Sequence, residues 1–308
     1  MRLSPLLILI AMSCAASAQV LPDRTVVLDP LASPLVDTSA FVFLPGTHLY
    51  AEFARYDNAS GDAHRWNART GGYFEVARWD SSASIALVGT TEVVMDPLND
   101  IAFNPRAILW EEGLVGTFDI MDGWHLQAGY VHRCKHDIDN LEIHVLRRSD
   151  EQRTLIYSGI VTRLLLPTYR LLDGPARLTA TGNLRNDFFL HLLDSRFAWQ
   201  DSGRSLESLI DAVNVGGRLD LRLGNERLGA HLSAGLMLSI FGAHPGFSER
   251  FSDVTVLGSV PVAELGIDLV NPHGGRLAFF VRGEWQRDDA IASNPSAARL
   301  ALFGVRVE

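Results

Sequence analysis

The stretch LGAHLSAGLMLSIF, residues 228–241, alternates apolar side chains with small or polar ones over its whole length. Its even positions are apolar: Leu228, Ala230, Leu232, Ala234, Leu236, Leu238 and Ile240. Its odd positions include Gly229, His231, Ser233, Gly235 and Ser239. Successive side chains of a β-strand point to opposite faces, so this alternation predicts a long strand with one apolar face.

The same alternation recurs in about twelve segments of the chain. They lie near 48–58, 72–80, 83–95, 106–119, 124–137, 153–167, 175–189, 210–223, 227–242, 254–270, 276–287 and 298–308. Short connectors with turn residues, such as Asp122-Gly123 and Asp173-Gly174, alternate with long polar connectors at 59–71, 96–105, 138–152, 190–209, 243–253 and 288–297. Tight turns on one side and long loops on the other are typical of outer-membrane barrels. The sequence predicts an all-β fold, an antiparallel up-and-down transmembrane β-barrel of about twelve strands.

A soluble periplasmic β protein, such as a sandwich or a lipocalin-like barrel, is the alternative fold. Sandwich strands average about 5–6 residues, whereas these segments reach the about 9–11 residues that a tilted membrane strand needs. Their polar faces also carry several charges each, which suits a wet lumen better than a protein core. Both observations favour the membrane barrel.

The N-terminus has the features of a secretory signal peptide. Arg2 precedes an apolar run, and Ala16-Ser17-Ala18 is a small-residue cleavage site, so we expect residues 1–18 to be removed. Residues 19–47 are then expected to form a periplasmic N-terminal segment or partial plug, and residues 48–308 the barrel. These features predict a monomer in the outer membrane of a Gram-negative-type bacterium.

Charge and cysteine content exclude several function classes. Removing the first 18 of 308 residues removes one Arg and no acid, so the net charge falls from −9 to −10. An acidic exported protein is a poor nucleic-acid binder. Cys134 is then the single remaining cysteine, so no intrachain disulfide is expected. The sequence holds no phosphate loop, dinucleotide fingerprint or zinc-ribbon spacing, and no cofactor is predicted.

Charged residues follow the polar faces of the later segments and form a predicted lumen charge ladder. Its members are Arg177, Arg185, Arg218, Arg222, Asp220, Arg276, Arg282 and Glu284. Such a ladder either holds a narrow lumen shut or lines a pore that selects small solutes. A structural or narrow-pore barrel without catalysis is therefore the first functional hypothesis.

A second hypothesis comes from the polar end of the fifth segment, His132-Arg133-Cys134-Lys135-His136-Asp137-Ile138-Asp139. Continuing the alternation from Trp124 places His132 and Cys134 on the outward, lipid-facing side. A His beside a thiol can serve as general base, with Asp137 or Asp139 orienting the imidazole. These residues would attack a lipid ester of the outer membrane. A polar strand end without chemistry is the alternative interpretation.

A metal site in this segment is disfavoured by distance. Alternate residues of a regular strand are about 6.6 Å apart, so His132 and His136 would be about 13 Å apart. Zinc bonds of about 2.0–2.3 Å cannot bridge that gap, and no metal is predicted.

His132-Arg133-Cys134 resembles the His-x-Ser element of outer-membrane phospholipase A and of the lipid A 3-O-deacylases, with Cys in place of Ser. The resemblance implies an outer-membrane barrel in which His132 is the base and Cys134 takes the nucleophile position. Lys135 stands where the phospholipase has Asn.

More of the chain resembles a family of uncharacterised bacterial outer-membrane proteins, a domain of unknown function. The shared features are Asp29-Pro30 in the N-terminal stretch, the strand start Gly71-Gly72-Tyr73-Phe74, and a mid-chain His-x-Ser-x-His element, here with Cys134. This resemblance implies the barrel and no particular activity.

Overall fold

The structure, a computed structural model, describes residues 28–32, 40–57, 65–96, 104–137, 154–174, 176–194, 210–225, 227–243, 255–271, 275–286 and 298–308. The predicted signal peptide lies outside these ranges. No helix in them is long and apolar enough to cross a membrane.

The described chain forms one antiparallel sheet that closes on itself. The strands are β1 (Val42–Tyr56), β2 (Trp66–Trp79), β3 (Ala83–Asp96), β4 (Asn104–Met121), β5 (Trp124–Asp137), β6 (Thr154–Leu165), β7 (Tyr169–Leu172), β8 (Ala176–Asp194), β9 (Ile210–Gly224), β10 (Leu228–Ala243), β11 (Thr255–Val270), β12 (Arg276–Gln286) and β13 (Ala298–Val307). Consecutive strands pair except β6 and β7, β1 pairs with β13, and β6 pairs with β8. Twelve long strands therefore make a closed barrel, and the short β7 pairs with β8 beside it. The predicted all-β barrel is confirmed.

Turn residues set the short end of the barrel. Asp122 and Gly123 both have positive φ, 36° and 83°, which is the conformation of a tight two-residue hairpin. We assign this end to the periplasm, because the connections at the other end, such as 138–153 and 195–209, are longer than most of those at this end.

Irregularities in pairing explain where the strands differ from the sequence prediction. Strand β1 begins at Val42 rather than near 48, because a register shift between Phe43 and Gly46, with Pro45 between them, interrupts the alternation. Strands β2 and β8 also extend into the predicted loops 59–71 and 190–209, since strand pairing continues to Trp66 and Asp194.

The outer surface of the barrel is apolar. Large hydrophobic side chains such as Leu114, Tyr130, Leu232 and Phe279 are about half exposed and share the outward face of their strands. An aqueous protein rarely exposes so continuous an apolar surface. A closed barrel with an apolar outside and charged residues inside is an outer-membrane β-barrel.

Two kinds of layer fill the lumen on the β1–β3 and β11–β13 side. The apolar layer joins Tyr56, Val94, Phe280 and Leu302 to Ala54. Beside it lies the central ion cluster, which we define as Glu52, Arg69, Glu92, Glu264, Arg282, Glu284 and Arg306.

Arginines connect the carboxylates of the central ion cluster. Arg282 donates to both oxygens of Glu52 at 2.7 and 2.6 Å and to Glu264 at 2.8 Å. Arg306 donates to Glu264 at 2.8 Å, and Arg69 donates to Glu284 at 3.0 Å. The guanidinium of Arg282 lies 4.6 Å from the ring centre of Phe280, so the cluster also packs against the apolar layer. These contacts join strands that are distant in sequence across the lumen.

The N-terminal residues Leu28–Ala32 lie inside the barrel near the periplasmic end. Asp29 Oδ2 is 2.7 Å from His125 Nδ1, and Gln127 donates to the Leu28 carbonyl at 2.8 Å. Arg78 donates to the Pro30 carbonyl. The Leu28 side chain packs against Tyr73 and Ala86. This short segment therefore occupies the part of the lumen that is lined by β2–β5.

Removing one carboxylate from the central ion cluster tests how much it stabilises the barrel. In Glu264→Gln, Arg282 and Arg306 stay buried but lose a charged partner, so we expect the free energy of unfolding to fall by about 3–5 kcal/mol. Urea unfolding in detergent micelles, followed by tryptophan fluorescence, measures the change.

The matched control is Asp220→Asn. Asp220 pairs with Arg218, whose side chain is 42% exposed, so its loss should cost about 0–1 kcal/mol. Equal unfolding midpoints for the two variants would show that the central ion cluster contributes no special stability.

Candidate functional site

Three polar residues face one another across adjacent strands on the outside of the barrel. Glu112 on β4 is the register partner of His132 on β5, and His132 is the register partner of Ser158 on β6. Two residues along each strand lie the exposed side chains of Leu114, Tyr130 and Ile160. Because alternate residues share a face, the three polar side chains point toward the bilayer.

His132 and Ser158 are joined directly. The distance from His132 Nδ1 to Ser158 Oγ is 2.8 Å, within the range expected for a nucleophile and its base. If Nδ1 accepts the serine proton, the ring carries its own proton on Nε2. That tautomer leaves Nε2–H free to donate to a carboxylate.

Glu112 is placed to receive that second bond. Its side chain is exposed on the outward face, directly opposite His132. Cβ atoms of directly opposed residues in antiparallel strands lie about 4.5–5.5 Å apart, so a glutamate can reach the imidazole by side-chain rotation. The order Glu112, His132, Ser158 has the chemical composition of an acid–base–nucleophile triad.

Cys134 also lies on the outward face of β5 but is not the residue that His132 contacts. Its side chain is 0% exposed, and its register neighbour on β4 is Trp110. Alternate residues of one strand are separated by about 6.6 Å, farther than opposed residues on neighbouring strands. The structure therefore pairs His132 with Ser158, where the sequence analysis paired it with Cys134.

The predicted orienting acids are not placed at the site. Asp137 is the last residue of β5, and its side chain lies outside the described part of the structure. Asp139 lies outside the described residues altogether. Their proposed role stays a prediction from the sequence.

An irregularity lies beside Ser158. The pairing of β6 with β8 shifts between Ser158 and Gly159, because Ser158 opposes His191 while Gly159 opposes Phe189. Leu190 is therefore an extra residue on β8, which is the pattern of a β-bulge. Bulges interrupt the regular ladder of backbone hydrogen bonds and occur often next to active sites.

The predicted lumen charge ladder divides into two groups. Arg185, Arg282 and Glu284 are buried, and Arg276 binds Asp268 at 2.8 Å. At the periplasmic mouth, Arg177 and Arg222 are exposed, and Arg218 pairs with Asp220 at 2.8 Å.

A further buried group crosses the lumen near the candidate triad. Arg185 donates to Glu111 at 2.8 Å and to Asp187 at 2.8 Å. Arg133 also donates to Glu111, at 2.7 Å through Nε. Glu111 and Arg133 thus face inward, whereas their neighbours Glu112 and His132 face the bilayer.

Sequence reasoning missed both cross-strand partners of His132. In the sequence, Glu112 and its neighbour Glu111 are interpreted as charges at the rim of the barrel. Ser158 is interpreted as an ordinary residue of the next strand. Ser158 carries no distinctive signal in the sequence, because the outward series of its strand already alternates apolar and hydroxyl residues at Ile160, Thr162 and Leu164. Among the described residues, no group of three or more His, Cys, Asp or Glu side chains could hold a metal ion.

Comparison with known proteins gives matches in structure alone. No family model matches the chain, and no curated protein matches it. The chain is similar to LpxR from Salmonella typhimurium, with a TM-score of 0.43 and 8% identity over 85% of this chain and 99% of that one. It is also similar to the translocator domain of autotransporter NalP from Neisseria meningitidis, with a TM-score of 0.38 and 13% identity over 85% and 88%. It is similar as well to the transport unit of the autotransporter AIDA-I from Escherichia coli. The TM-score is 0.36, with 9% identity over 98% of this chain and 96% of that one.

Proposed function

We propose that this outer-membrane barrel is a lipid-ester hydrolase in which Ser158 is the nucleophile and His132 the general base. The observation that carries the proposal is the 2.8 Å contact between His132 Nδ1 and Ser158 Oγ on the lipid-facing wall. Polar groups on the lipid-facing wall destabilise a barrel unless they lie near the membrane–water interface. A functional role would explain why His132 and Ser158 are on that wall.

The chemistry follows from the protonation states. His132 Nδ1 takes the proton of Ser158 as Oγ attacks the ester carbonyl, and the new C–O bond gives a tetrahedral oxyanion. The imidazolium then gives its proton to the departing alcohol, leaving an acyl-serine. Water, deprotonated by His132, attacks the acyl-serine and releases the fatty acid. Glu112 stabilises the imidazolium that forms in each half of the cycle.

Backbone geometry supplies a candidate for stabilising the oxyanion. The bulge at Leu190 sits opposite Ser158 and Gly159, and the extra residue of a bulge lies outside the regular ladder. We assign its backbone N–H as the donor to the developing oxyanion.

The position of the pair along the strands supports a lipid as the substrate. His132 lies five residues before the end of β5, and Ser158 is the fifth residue of β6, so both lie toward the loop-bearing, external end. A membrane lipid of the outer leaflet presents its ester groups at this level, beneath its headgroup.

Substitution of the proposed nucleophile and base tests the assignment. Ser158→Ala and His132→Ala should each lower hydrolysis of a phospholipid ester by about 10²–10⁴-fold, because each removes the proton transfer or its acceptor. The measurement is fatty-acid release from proteoliposomes. Retention of the heat-dependent gel shift confirms that each variant is folded.

Cys134→Ala is the matched control because Cys134 shares the strand face and lies two residues from His132. It should hydrolyse lipid within about twofold of the unsubstituted chain, since His132 contacts Ser158 and not Cys134. Loss of activity in Cys134→Ala with full activity in Ser158→Ala would reverse the assignment of the nucleophile.

A narrow pore is the second candidate, and exposed arginines at the periplasmic mouth favour it. Arg177 and Arg222 line the mouth beside the partly exposed Arg218 and would attract anions. Farther inside, the central ion cluster and the segment Leu28–Ala32 occupy the lumen.

Conductance separates this second candidate from the first. Because the lumen is occupied, we expect purified protein to show no steady conductance in planar bilayers, while lipid hydrolysis persists. Steady anion conductance that falls in Arg222→Ala, together with no hydrolysis, would favour the pore and reject the hydrolase.

A further inference from the structure

A groove crosses the outer wall of the barrel and ends at Glu112, one residue of the candidate triad. It has a volume of about 1060 Å³ and is lined by Leu49, Phe74, Leu87, Trp110 and Glu112, with Gly72 and Gly89 at its floor. The groove faces the bilayer, because Leu49, Phe74 and Leu87 are among the exposed side chains of the outward face.

The register of the sheet explains the groove. One outward row runs Leu49, Gly72, Gly89, Glu112, His132 and Ser158 across β1–β6. Two adjacent positions in that row have no side chain, while Phe74 and Leu87 stand beside them. Neighbouring strands are about 4.8 Å apart, so Gly89 lies about 10 Å from His132 along the row.

The two glycines differ in the space that surrounds them. A Cβ on Gly72 would lie 2.0 Å from the His48 carbonyl oxygen, so close backbone packing requires glycine there. A Cβ on Gly89 would meet nothing within 4 Å. Packing within the barrel therefore leaves room for a larger side chain at position 89, which makes this position suitable for filling the groove.

We propose that the groove binds one acyl chain of the ester substrate and so directs its carbonyl carbon to Ser158. This inference deepens the proposed hydrolase and rests on it. Three observations select an acyl chain as the occupant. The groove lies in the membrane-facing wall, its lining is mostly apolar apart from threonines, and Glu112, its one charged lining residue on the outward face, is the register partner of His132.

The test fills the groove without disturbing the barrel. Gly89→Leu places a side chain in open space on the groove floor. Gly283→Leu is the matched control, because Gly283 is exposed on the outward face of β12, on another part of the wall, and a Cβ there also meets nothing within 4 Å. Both variants are compared for the heat-dependent gel shift to establish folding.

Binding is measured separately from catalysis, in a Ser158→Ala background. The full chain is placed in vesicles of phosphatidylcholine that carries a diazirine in the middle of one acyl chain, and cross-linked peptides are identified by mass spectrometry. We expect cross-links to concentrate in β2–β4, to fall about tenfold in Gly89→Leu and to stay unchanged in Gly283→Leu. Cross-links spread evenly around the barrel, or equal effects of the two substitutions, would overturn the inference.

Hydrolysis by chains that retain Ser158 distinguishes the two proposals. Gly89→Leu should lower kcat/KM for a long-chain ester by about tenfold and leave a butyryl ester within about twofold. Groove cross-links without Ser158-dependent hydrolysis would reject the proposed function and retain a lipid-binding groove. Ser158-dependent hydrolysis that Gly89→Leu leaves intact for long chains would reject the groove alone.

Discussion

The backbone hydrogen bonds of the closed sheet are the constraint on which every other feature depends. Inside hydrocarbon no water can satisfy an unpaired N–H or C=O group, so a sheet can cross the membrane only without free edges. Pairing of β1 with β13 and of β6 with β8 removes those edges. Closure then fixes an inside and an outside for each strand, and period-2 alternation assigns each residue to one of them.

Closure has opposite consequences for charge on the two faces. Inside, the carboxylates and arginines of the central ion cluster are buried, and their mutual hydrogen bonds offset the cost of removing them from water. Outside, most side chains are apolar, so the contact between His132 and Ser158 with Glu112 opposite is exceptional. The proposed chemistry and the proposed acyl groove both lie on this outer face.

Prediction from the sequence reached part of the candidate site. The density of polar residues after Tyr130 singles out His132, and the alternation indicates its outward direction. The sequence predicts the nucleophile on the same strand, at Cys134, because without the strand register His132 can be related only to residues near it in the chain. Ser158 is 26 residues away from His132, and the register of β5 against β6 decides that they meet. That register cannot be read from the long connection between the strands.

The sequence by itself determined the class of fold and the two faces of the barrel, because alternating hydrophobicity along a strand is a local property. Only the tertiary structure decided which side chains oppose each other around the barrel. A slip of one residue in any pairing would move a side chain to the opposite face, and turns and bulges such as those at Asp122-Gly123 and Leu190 set the register. Glu112, His132, Ser158 and the glycine groove align because pairing across β1–β6 brings their separate stretches of chain into one row.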